Sequence, residues 1–228
     1  MQFLERNLKE HYFGDNMDEF VILVDEHDNP LGKEEKVKCH LPNGKLHRAF
    51  TAMIFNKEGK LLLTRRSASK MLWPDDWDGT VASHPREGET YISSAERRMP
   101  EEIGITCKMN YVNKFEYHVP YRNIGSENEV CGTLIGVVDN FDESSLVLDE
   151  ISEIKWITPD ELKAELEKNR DSYCPWMAIA LYFFADCDDT TLEKFDTLIK
   201  SWTTNELQQV YQNAIKHYIS NDNWRLVK

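Results

Sequence analysis

Apolar residues along the first two thirds of the chain fall in runs of strand length. Residues 19–25, EFVILVD, form the first run, and residues 49–56 form the second. Short runs of apolar residues bounded by turn-forming residues are typical of strands. Here the turns are residues 28–32, DNPLG, and residues 57–60, KEGK. The same pattern predicts further strands at residues 61–64, 111–119, 129–138 and 154–157.

Helical patterns occupy much of the rest. In residues 91–103, charged side chains recur three and four positions apart, as on one face of a helix. Pro100 lies inside this segment, so we expect the helix to bend there or to restart at that residue. Residues 158–161, TPDE, form a strong helix start, with a Thr cap, a Pro and two acids. Further helices are predicted at residues 2–12, 159–169, 176–186, 190–200 and 204–219.

This order of elements predicts an α/β (α+β) fold in which helices cover a mixed sheet. With 228 residues, of which 41% are apolar, the chain can form one substantial core with appendages. It has no internal repeat and no linker rich in Pro, Gly or Ser. We therefore predict a sheet-containing domain at residues 17–187, with helical extensions at residues 1–16 and 188–228.

Charge and composition exclude several classes of protein. The net charge of −13 argues against a nucleic-acid partner, and no apolar run approaches the length of a membrane span. The N-terminus is charged where a signal peptide needs an apolar core, and the five cysteines form no CxxC pair, which together favour a reduced, cytoplasmic protein. However, residues 33–70 hold ten Lys or Arg and only three acids. That local excess fits a small anionic ligand, or else a solvated basic surface.

Three histidines and two glutamates are the candidate metal ligands. Glu127 and Glu129 are two residues apart in a predicted strand, so both carboxylates face the same side of the sheet. Imidazole and carboxylate ligands suit Zn²⁺ or Mn²⁺, and an octahedral site also accepts Mg²⁺. The histidines are His40, His47 and His84. Because the set is spread from residue 40 to residue 129, its spacing alone leaves a structural role open for each member.

A second set of residues is basic and suits a phosphate ligand. Arg66 and Lys70 follow a predicted strand, Arg98 lies on the charged helix, and Lys36 is in the basic region. Arg binds phosphate through two parallel hydrogen bonds and Lys binds it as a point charge, although a solvated loop is the alternative. Trp176 begins a predicted helix, where a core position is usual. It would matter beside a cation, which an indole face attracts.

One segment follows a known motif. The Nudix box reads Gly, five residues, Glu, seven residues, then Arg-Glu-apolar-x-Glu-Glu-x-Gly-apolar. The chain matches it from residue 83 to residue 105, except that Ser83 replaces the Gly and Arg98 replaces the first Glu of the core triplet. Residues about 19–187 therefore resemble the Nudix superfamily. The basic residue Arg98, in place of that Glu, is similar to the pattern of its type I isopentenyl-diphosphate isomerases. Further segments similar to that family are CH at 39–40, LHRAF at 46–50, RRSASK at 65–70, SHP at 83–85, ENEVC at 127–131 and PWM at 175–177.

The resemblance implies a Nudix-type α/β/α sandwich with additional N- and C-terminal helices, and an enzyme that moves a double bond in a prenyl diphosphate. It also implies a site with Mn²⁺, Zn²⁺ or Mg²⁺ held by His40, His47, His84, Glu127 and Glu129. Glu102 would help to bind a Mg²⁺ on the substrate diphosphate, which Lys36, Arg66, Lys70 and Arg98 would neutralise. Glu129 and Tyr117 would protonate one face of the alkene, and Trp176 would stabilise the tertiary carbocation. The implied partner is a small prenyl diphosphate, without nucleic acid or membrane, for a monomer or homodimer.

Ala82 departs from the family pattern. The family has a catalytic cysteine on the opposite face, two residues before the His of its SHP segment, and a methyl group cannot transfer a proton. Three explanations fit the alanine: an engineered change, a natural branch that lost the thiol, or a site where another residue serves. The pattern from Trp77-Asp78 to His84 also resembles isomerase-like Nudix hydrolases, which favours natural divergence.

Three functions stay open at this point. The first is a metal-dependent isomerase acting on a five-carbon prenyl diphosphate, favoured by Arg98 and the histidines. The second is a Nudix hydrolase of a nucleoside or prenyl diphosphate, which Ala82 permits but Arg98 weakens by removing a metal-binding carboxylate. The third is a non-catalytic diphosphate-binding protein that retains the pocket.

Overall fold

A computed structural model describes residues 19–139, 151–219 and 223–228, and the predicted helix at residues 2–12 lies outside these ranges. Within them, the strands are β1 (Phe20–Val24), β2 (Pro30–Glu35), β3 (His47–Asn56), β4 (Leu61–Arg66), β5 (Trp77–Asp78), β6 (Val81–Ser83), β7 (Asn110–Tyr121), β8 (Gly125–Val138), β9 (Ile151–Ile157) and β10 (Trp224–Val227). The α-helices are α1 (Lys36–His40), α2 (Tyr91–Glu102), α3 (Pro159–Asn169), α4 (Pro175–Tyr182), α5 (Asp189–Trp202) and α6 (Asn205–Tyr218).

The strands form one mixed sheet. Its main path runs β10-β7-β8-β3-β1-β2, with β6 beside β3 and with β4 connecting β3 to β5 and β9. Strands β3 and β8 are parallel, whereas their other pairings are antiparallel. In the parallel pair His47 lies opposite Glu129, and the register continues without a break to Asn56 opposite Val138. This pairing brings together two candidate ligands that are 82 positions apart in sequence.

Each face of the sheet carries its own core, because successive residues of a strand point to opposite faces. Met53 and Phe55 of β3 belong to a core that also contains residues of α3, α4 and α6. Ala52 and Ile54 belong to a second core with Met99 of α2. Helices therefore cover both faces, and the predicted α/β (α+β) class with a mixed sheet is confirmed.

Helix α2 begins with a capping box. The Thr90 hydroxyl accepts the backbone N–H of Ser93 at 3.1 Å, and the Ser93 hydroxyl accepts the N–H of Thr90 at 2.9 Å. The helix continues through Pro100 to Glu102, so the alternative that it restarts at Pro100 is wrong. A proline inside a helix removes one backbone hydrogen bond. Here it lies in the last turn, so the helix ends within two residues of the lost bond.

Several elements were not predicted. Strand β2 extends from the expected turn, but its sequence PLGKEE is polar and mostly exposed, so no alternation marked it. Helix α1 is only five residues long, and β10 is held by pairing with β7, from Trp224 opposite Tyr117 to Val227 opposite Lys114. The helix predicted at residues 176–186 ends at Tyr182 and continues as a 3₁₀ turn, Phe183–Asp186. The capped helix start at Thr158 is confirmed.

The C-terminal helices pack against the sheet through Trp202. This side chain at the end of α5 is fully buried, and its ring lies 5.5 Å from the ring of Phe55 in β3. Its indole N–H donates to the carbonyl of Gly59 at 3.0 Å, in the turn before β4. One side chain therefore joins α5 to the sheet by apolar contact and by a hydrogen bond.

We expect Trp202→Ala to lower the free energy of unfolding by about 3–5 kcal/mol, because it leaves a large cavity and an unpaired carbonyl. Chemical denaturation monitored by circular dichroism measures this change. Leu31→Ala is the matched control, since Leu31 is 69% exposed and its truncation should change stability by less than about 0.5 kcal/mol. Equal stability of the two variants would show that α5 does not support the sheet.

Candidate active site

Three imidazoles and a carboxylate converge in the interior. His40 ends α1, His47 begins β3, His84 follows β6 and Glu129 lies in β8. One ligand atom from each of the four lies within 4.8 Å of those of the others, and all four residues are buried. The Nε2 atom of His47 is 3.1 Å from Nε2 of His84 and 3.3 Å from Oε1 of Glu129. This His–Glu cluster fits a divalent cation in both donor type and spacing.

Backbone carbonyls orient two of the imidazoles. Nδ1 of His40 is 2.6 Å from the carbonyl oxygen of Lys36, and Nδ1 of His47 is 2.8 Å from that of Lys45. A carbonyl only accepts, so each Nδ1 carries a proton, and in the neutral form of each ring the lone pair is on Nε2. Such contacts are the usual way of fixing the tautomer of a metal-binding histidine. In their neutral forms, His40 and His47 would thus present Nε2 lone pairs to a common cation.

Glu127 lies beside the cluster. It shares the face of β8 with Glu129, as the two-residue spacing predicted, and both are buried. Its Oε2 atom is 3.0 Å from Nε2 of His40, yet that atom has no hydrogen-bond partner of adequate geometry among the described residues. A buried carboxylate oxygen without such a partner is costly. A cation bound at His40 would satisfy it.

Burial and mutual contact set the protonation of the cluster. Burial opposes the charged form of His47, but hydrogen bonds with Cys39 and Glu129 outweigh it and raise the His47 pKa well above its usual value. Burial lowers the pKa of His84 to about 4, with Glu129 only partly offsetting it. Burial raises the pKa of Glu129, yet the two imidazoles hold it well below its usual value. The contacts with His47 and His84 therefore favour the ionised form of the Glu129 carboxylate.

A tyrosine completes the environment of Glu129. The Tyr117 hydroxyl donates to Oε2 of Glu129 at 2.7 Å, while Oε1 of the same carboxylate faces the imidazoles. Burial and the neighbouring carboxylate raise the pKa of Tyr117 well above its usual value, so the phenol keeps its proton. The carboxylate thus links the candidate cation position to a proton donor.

One cavity is lined by residues of both predicted sets. The basic side chains at its wall come from α1, β4, the loop after β4, and α2, and they are Lys36, Arg66, Lys70 and Arg98. The same cavity is lined by His40, His84, Tyr117, Glu127, Glu129, Ala82 and Trp176. Residues from many parts of the chain thus meet around one space that has a cationic side and an acid–imidazole side.

The basic residues of the cavity already have protein partners, and Nζ of Lys36 donates to Oε2 of Glu19 at 3.2 Å. The Arg66 guanidinium donates to the carbonyls of Trp73 and Leu72 at 3.0 Å each and to Asp78 at 3.3 Å. Arg98 donates to Glu102 at 2.8 Å and to Glu101 at 2.9 Å. Glu102 therefore lies against Arg98 and outside the His–Glu cluster, among the described residues.

An aromatic residue, Trp176, and an alanine, Ala82, both line the cavity. Trp176, at the start of α4, meets Trp73 edge to face, with ring centroids 5.2 Å apart. Ala82 is in β6, opposite Thr51 of β3, and its methyl group lines the same cavity. Sequence reasoning missed Cys131, whose thiol also lines it. The signal was present, because Cys131 is two residues beyond Glu129 and so shares its face of the strand.

We expect His47→Ala to reduce bound Zn²⁺ or Mn²⁺ from about one ion per chain to less than about 0.2, because it removes a buried ligand from a small donor set. Elemental analysis after dialysis against low metal gives the ratio. His27→Ala is the control, since His27 is an exposed histidine outside the cavity lining. Full metal content in His47→Ala would contradict a metal site at this cluster.

Comparison with known proteins places this geometry in context. The NUDIX domain family matches residues 45–177 of the chain. The isopentenyl-diphosphate Delta-isomerase of Haloarcula marismortui is 37% identical over 174 residues, which cover 73% of this chain and 91% of that protein. The isopentenyl-diphosphate Delta-isomerase 2 of Photorhabdus laumondii is 38% identical over 161 residues, covering 70% and 89%.

A solved structure has the same fold. The crystal structure of DR0079 from Deinococcus radiodurans superposes with a TM-score of 0.57 and 21% identity, covering 71% of this chain and 97% of that one. At this identity the likeness concerns the fold alone. Among the described residues, no helix is both long enough and apolar enough to span a membrane.

Proposed function

This chain belongs to the NUDIX family and, within it, to the isopentenyl-diphosphate isomerases, and from that membership we propose that it interconverts isopentenyl and dimethylallyl diphosphate. The observation that carries the proposal is the link from Tyr117 through Glu129 to the imidazoles, at the wall of a cavity with basic side chains. A proton donor, a cation-binding group and an anion-binding group are the parts this reaction needs. The proposed substrate is a small prenyl diphosphate.

The first step is protonation of the terminal alkene carbon. We assign the donor to the Tyr117–Glu129 pair, whose 2.7 Å hydrogen bond holds a proton beside the cavity. The transfer leaves a tertiary carbocation, which the Trp176 indole stabilises as a cation–π partner. The substrate diphosphate is assigned to Lys36, Arg66, Lys70 and Arg98, which would fix the alkene relative to the acid.

The metal is assigned to His40, His47, His84 and Glu129, with Glu127 as a further ligand through its unsatisfied oxygen. When bound, a divalent cation would stabilise the charge on Glu129 and so make its conjugate acid stronger. The resident ion is proposed to be Mn²⁺, Zn²⁺ or Mg²⁺, and a second Mg²⁺ would accompany the substrate diphosphate near Glu102.

The second step removes a proton from the adjacent carbon. In the family a thiol serves the face where this chain has Ala82, and a methyl group can neither accept nor donate a proton. Because a tertiary carbocation is a very strong acid, a weaker base in the cavity still permits turnover, but more slowly. We therefore propose a slow isomerase that carries the family's binding site.

Hydrolysis is the weaker alternative. It would need the helix α2 carboxylates to hold metal and activate water. Arg98 instead lies within hydrogen-bond distance of Glu101 and Glu102, and it stands where a Nudix hydrolase has a third carboxylate. A basic residue at this point lowers the cation affinity of the helix and favours an anionic ligand.

Incubation with isopentenyl diphosphate, Mg²⁺ and Mn²⁺ or Zn²⁺ in D₂O, followed by NMR, tests the proposal. We expect deuterium in the alkyl chain together with dimethylallyl diphosphate, and loss of both in Glu129→Gln. Glu116→Gln is the control, since Glu116 lies on the neighbouring strand β7 and pairs with exposed Arg225. Release of phosphate or monophosphate without deuterium would instead establish hydrolysis, and the absence of all products would leave a binding protein.

We expect Ala82→Cys to raise the isomerisation rate by roughly 100-fold or more, because a thiol restores general acid–base transfer on the second face. The same NMR assay measures it. Ala82→Ser is the matched control, since its hydroxyl has similar size but is a poor acid and base, and its rate should stay near that of the unaltered chain. A folded Ala82→Cys protein with an unchanged rate would remove the assigned role of this position.

A further inference from the structure

We infer that Asp78 is a positioning residue that prepares the Trp176 indole to face a cation, an inference that rests on the proposed function. Asp78 is 2% exposed and lies in the short strand β5. Its side chain is not part of the cavity lining, so it acts through other residues. Three N–H groups converge on its carboxylate.

The first contact fixes the orientation of the indole. Nε1–H of Trp176 donates to Oδ1 of Asp78 at 2.7 Å, across 98 positions of sequence. The same oxygen accepts the backbone N–H of Gly79 at 2.6 Å, which holds the carboxylate in place. This contact holds the N–H edge at a group outside the cavity and so fixes the orientation of a ring that lines the cavity. An anionic acceptor at that N–H also increases the electron density of the ring.

The second contact concerns charge. The Arg66 guanidinium carbon lies 5.3 Å from the centroid of the Trp176 ring, so a permanent cation already sits against this indole. A second cation in the cavity would be repelled by it. Oδ2 of Asp78 accepts from Nη1 of Arg66 at 3.3 Å and compensates that charge. Without the Asp78 carboxylate, less of the guanidinium charge would be compensated beside a developing carbocation.

The arrangement of Arg66 supports the same interpretation. Its other donors are held by the carbonyls of Leu72 and Trp73, so the guanidinium cannot turn away from the ring without losing these bonds. Burial raises the pKa of Asp78, and the Arg66 guanidinium and the N–H donors oppose that rise. The convergence of donors on Asp78 suits an ionised carboxylate. Asp78 thus couples the proposed diphosphate-binding arginine to the proposed cation-stabilising ring.

Two probes of equal diphosphate content separate this role from a structural one. The first, 2-(dimethylamino)ethyl diphosphate, places an ammonium group near the position of the carbocation. The second, 3-methylbutyl diphosphate, is its neutral counterpart. The ratio of their dissociation constants, measured by calorimetry with Mg²⁺ present, reports the preference of the site for a cation.

We expect the unaltered chain to prefer the ammonium probe, and Asp78→Asn to lower that preference by about tenfold while the neutral probe binds within about twofold of its original affinity. The amide oxygen still accepts the indole N–H, so this variant removes the charge and keeps the orientation. Asp78→Ala removes both and should lower the preference further. Glu153→Gln is the control, because it takes an exposed carboxylate from Arg65, the neighbour of Arg66, at 3.3 Å.

Each outcome either supports or overturns the role of Asp78. Equal weakening of both probes in Asp78→Asn, or an unchanged preference in that variant, overturns the inference, as does a lack of cation preference in the unaltered chain. Unfolding midpoints measured alongside identify a variant that has merely lost its fold, and Asp78→Asn remains the deciding variant if Asp78→Ala does not fold. The unaltered chain could show no deuterium exchange while Asp78→Asn still lowers the cation preference. In that case the proposed reaction fails and the role of Asp78 stands.

Discussion

The site depends on one buried carboxylate, that of Glu129, being shared by imidazoles and a phenol. An ionised carboxylate without partners in a protein interior costs several kcal/mol. Here one oxygen faces His47 and His84, and the other accepts the Tyr117 hydroxyl. The parallel register of β3 with β8 makes this possible, because it places Glu129 opposite His47. A shift by one residue would turn Glu129 to the other face of the sheet.

Residue periodicity predicted the strands of the site and the shared face of its two glutamates, because both depend on residues close together in sequence. The Glu-x-Glu step placed Glu127 and Glu129 on one face, and the apolar runs predicted the strands that carry them. The meeting of the three histidines was predicted only through the family resemblance. The three histidines are brought together by the strand order and by the short helix α1. Strand order leaves no periodic signal in the sequence, and a helix of five residues is too short to show one.

Sequence reasoning stopped where a side chain's partner is distant or its role is shared. Arg66 was predicted as a phosphate ligand from its charge, but its donors also hold the carbonyls of the loop that leads to β5. Asp78 was noted only as part of the pattern from Trp77 to His84, and its contact with Trp176, 98 positions away, had no signal in the sequence. Cys131 is far from Ala82 in sequence, and only its two-residue spacing from Glu129 in β8 indicated that it faces the site.

Charge pairing on α2 connects the fold to ligand choice. Arg97, within α2, binds Glu89, which precedes the helix, at 2.6 Å. This contact lowers the Glu89 pKa to about 2, so Glu89 is ionised and the pair holds the loop before α2 against the helix. Arg98 and Glu102 form the next pair, and Arg98 also lines the cavity. A bare anion would have to compete with Glu102 for Arg98 and would weaken the contact between them. The proposed diphosphate with its own Mg²⁺ would offer an anion to Arg98 and a cation to Glu102 together, which would keep the buried charges balanced. Such an exchange would account for both signs of charge on this helix at a site for one ligand.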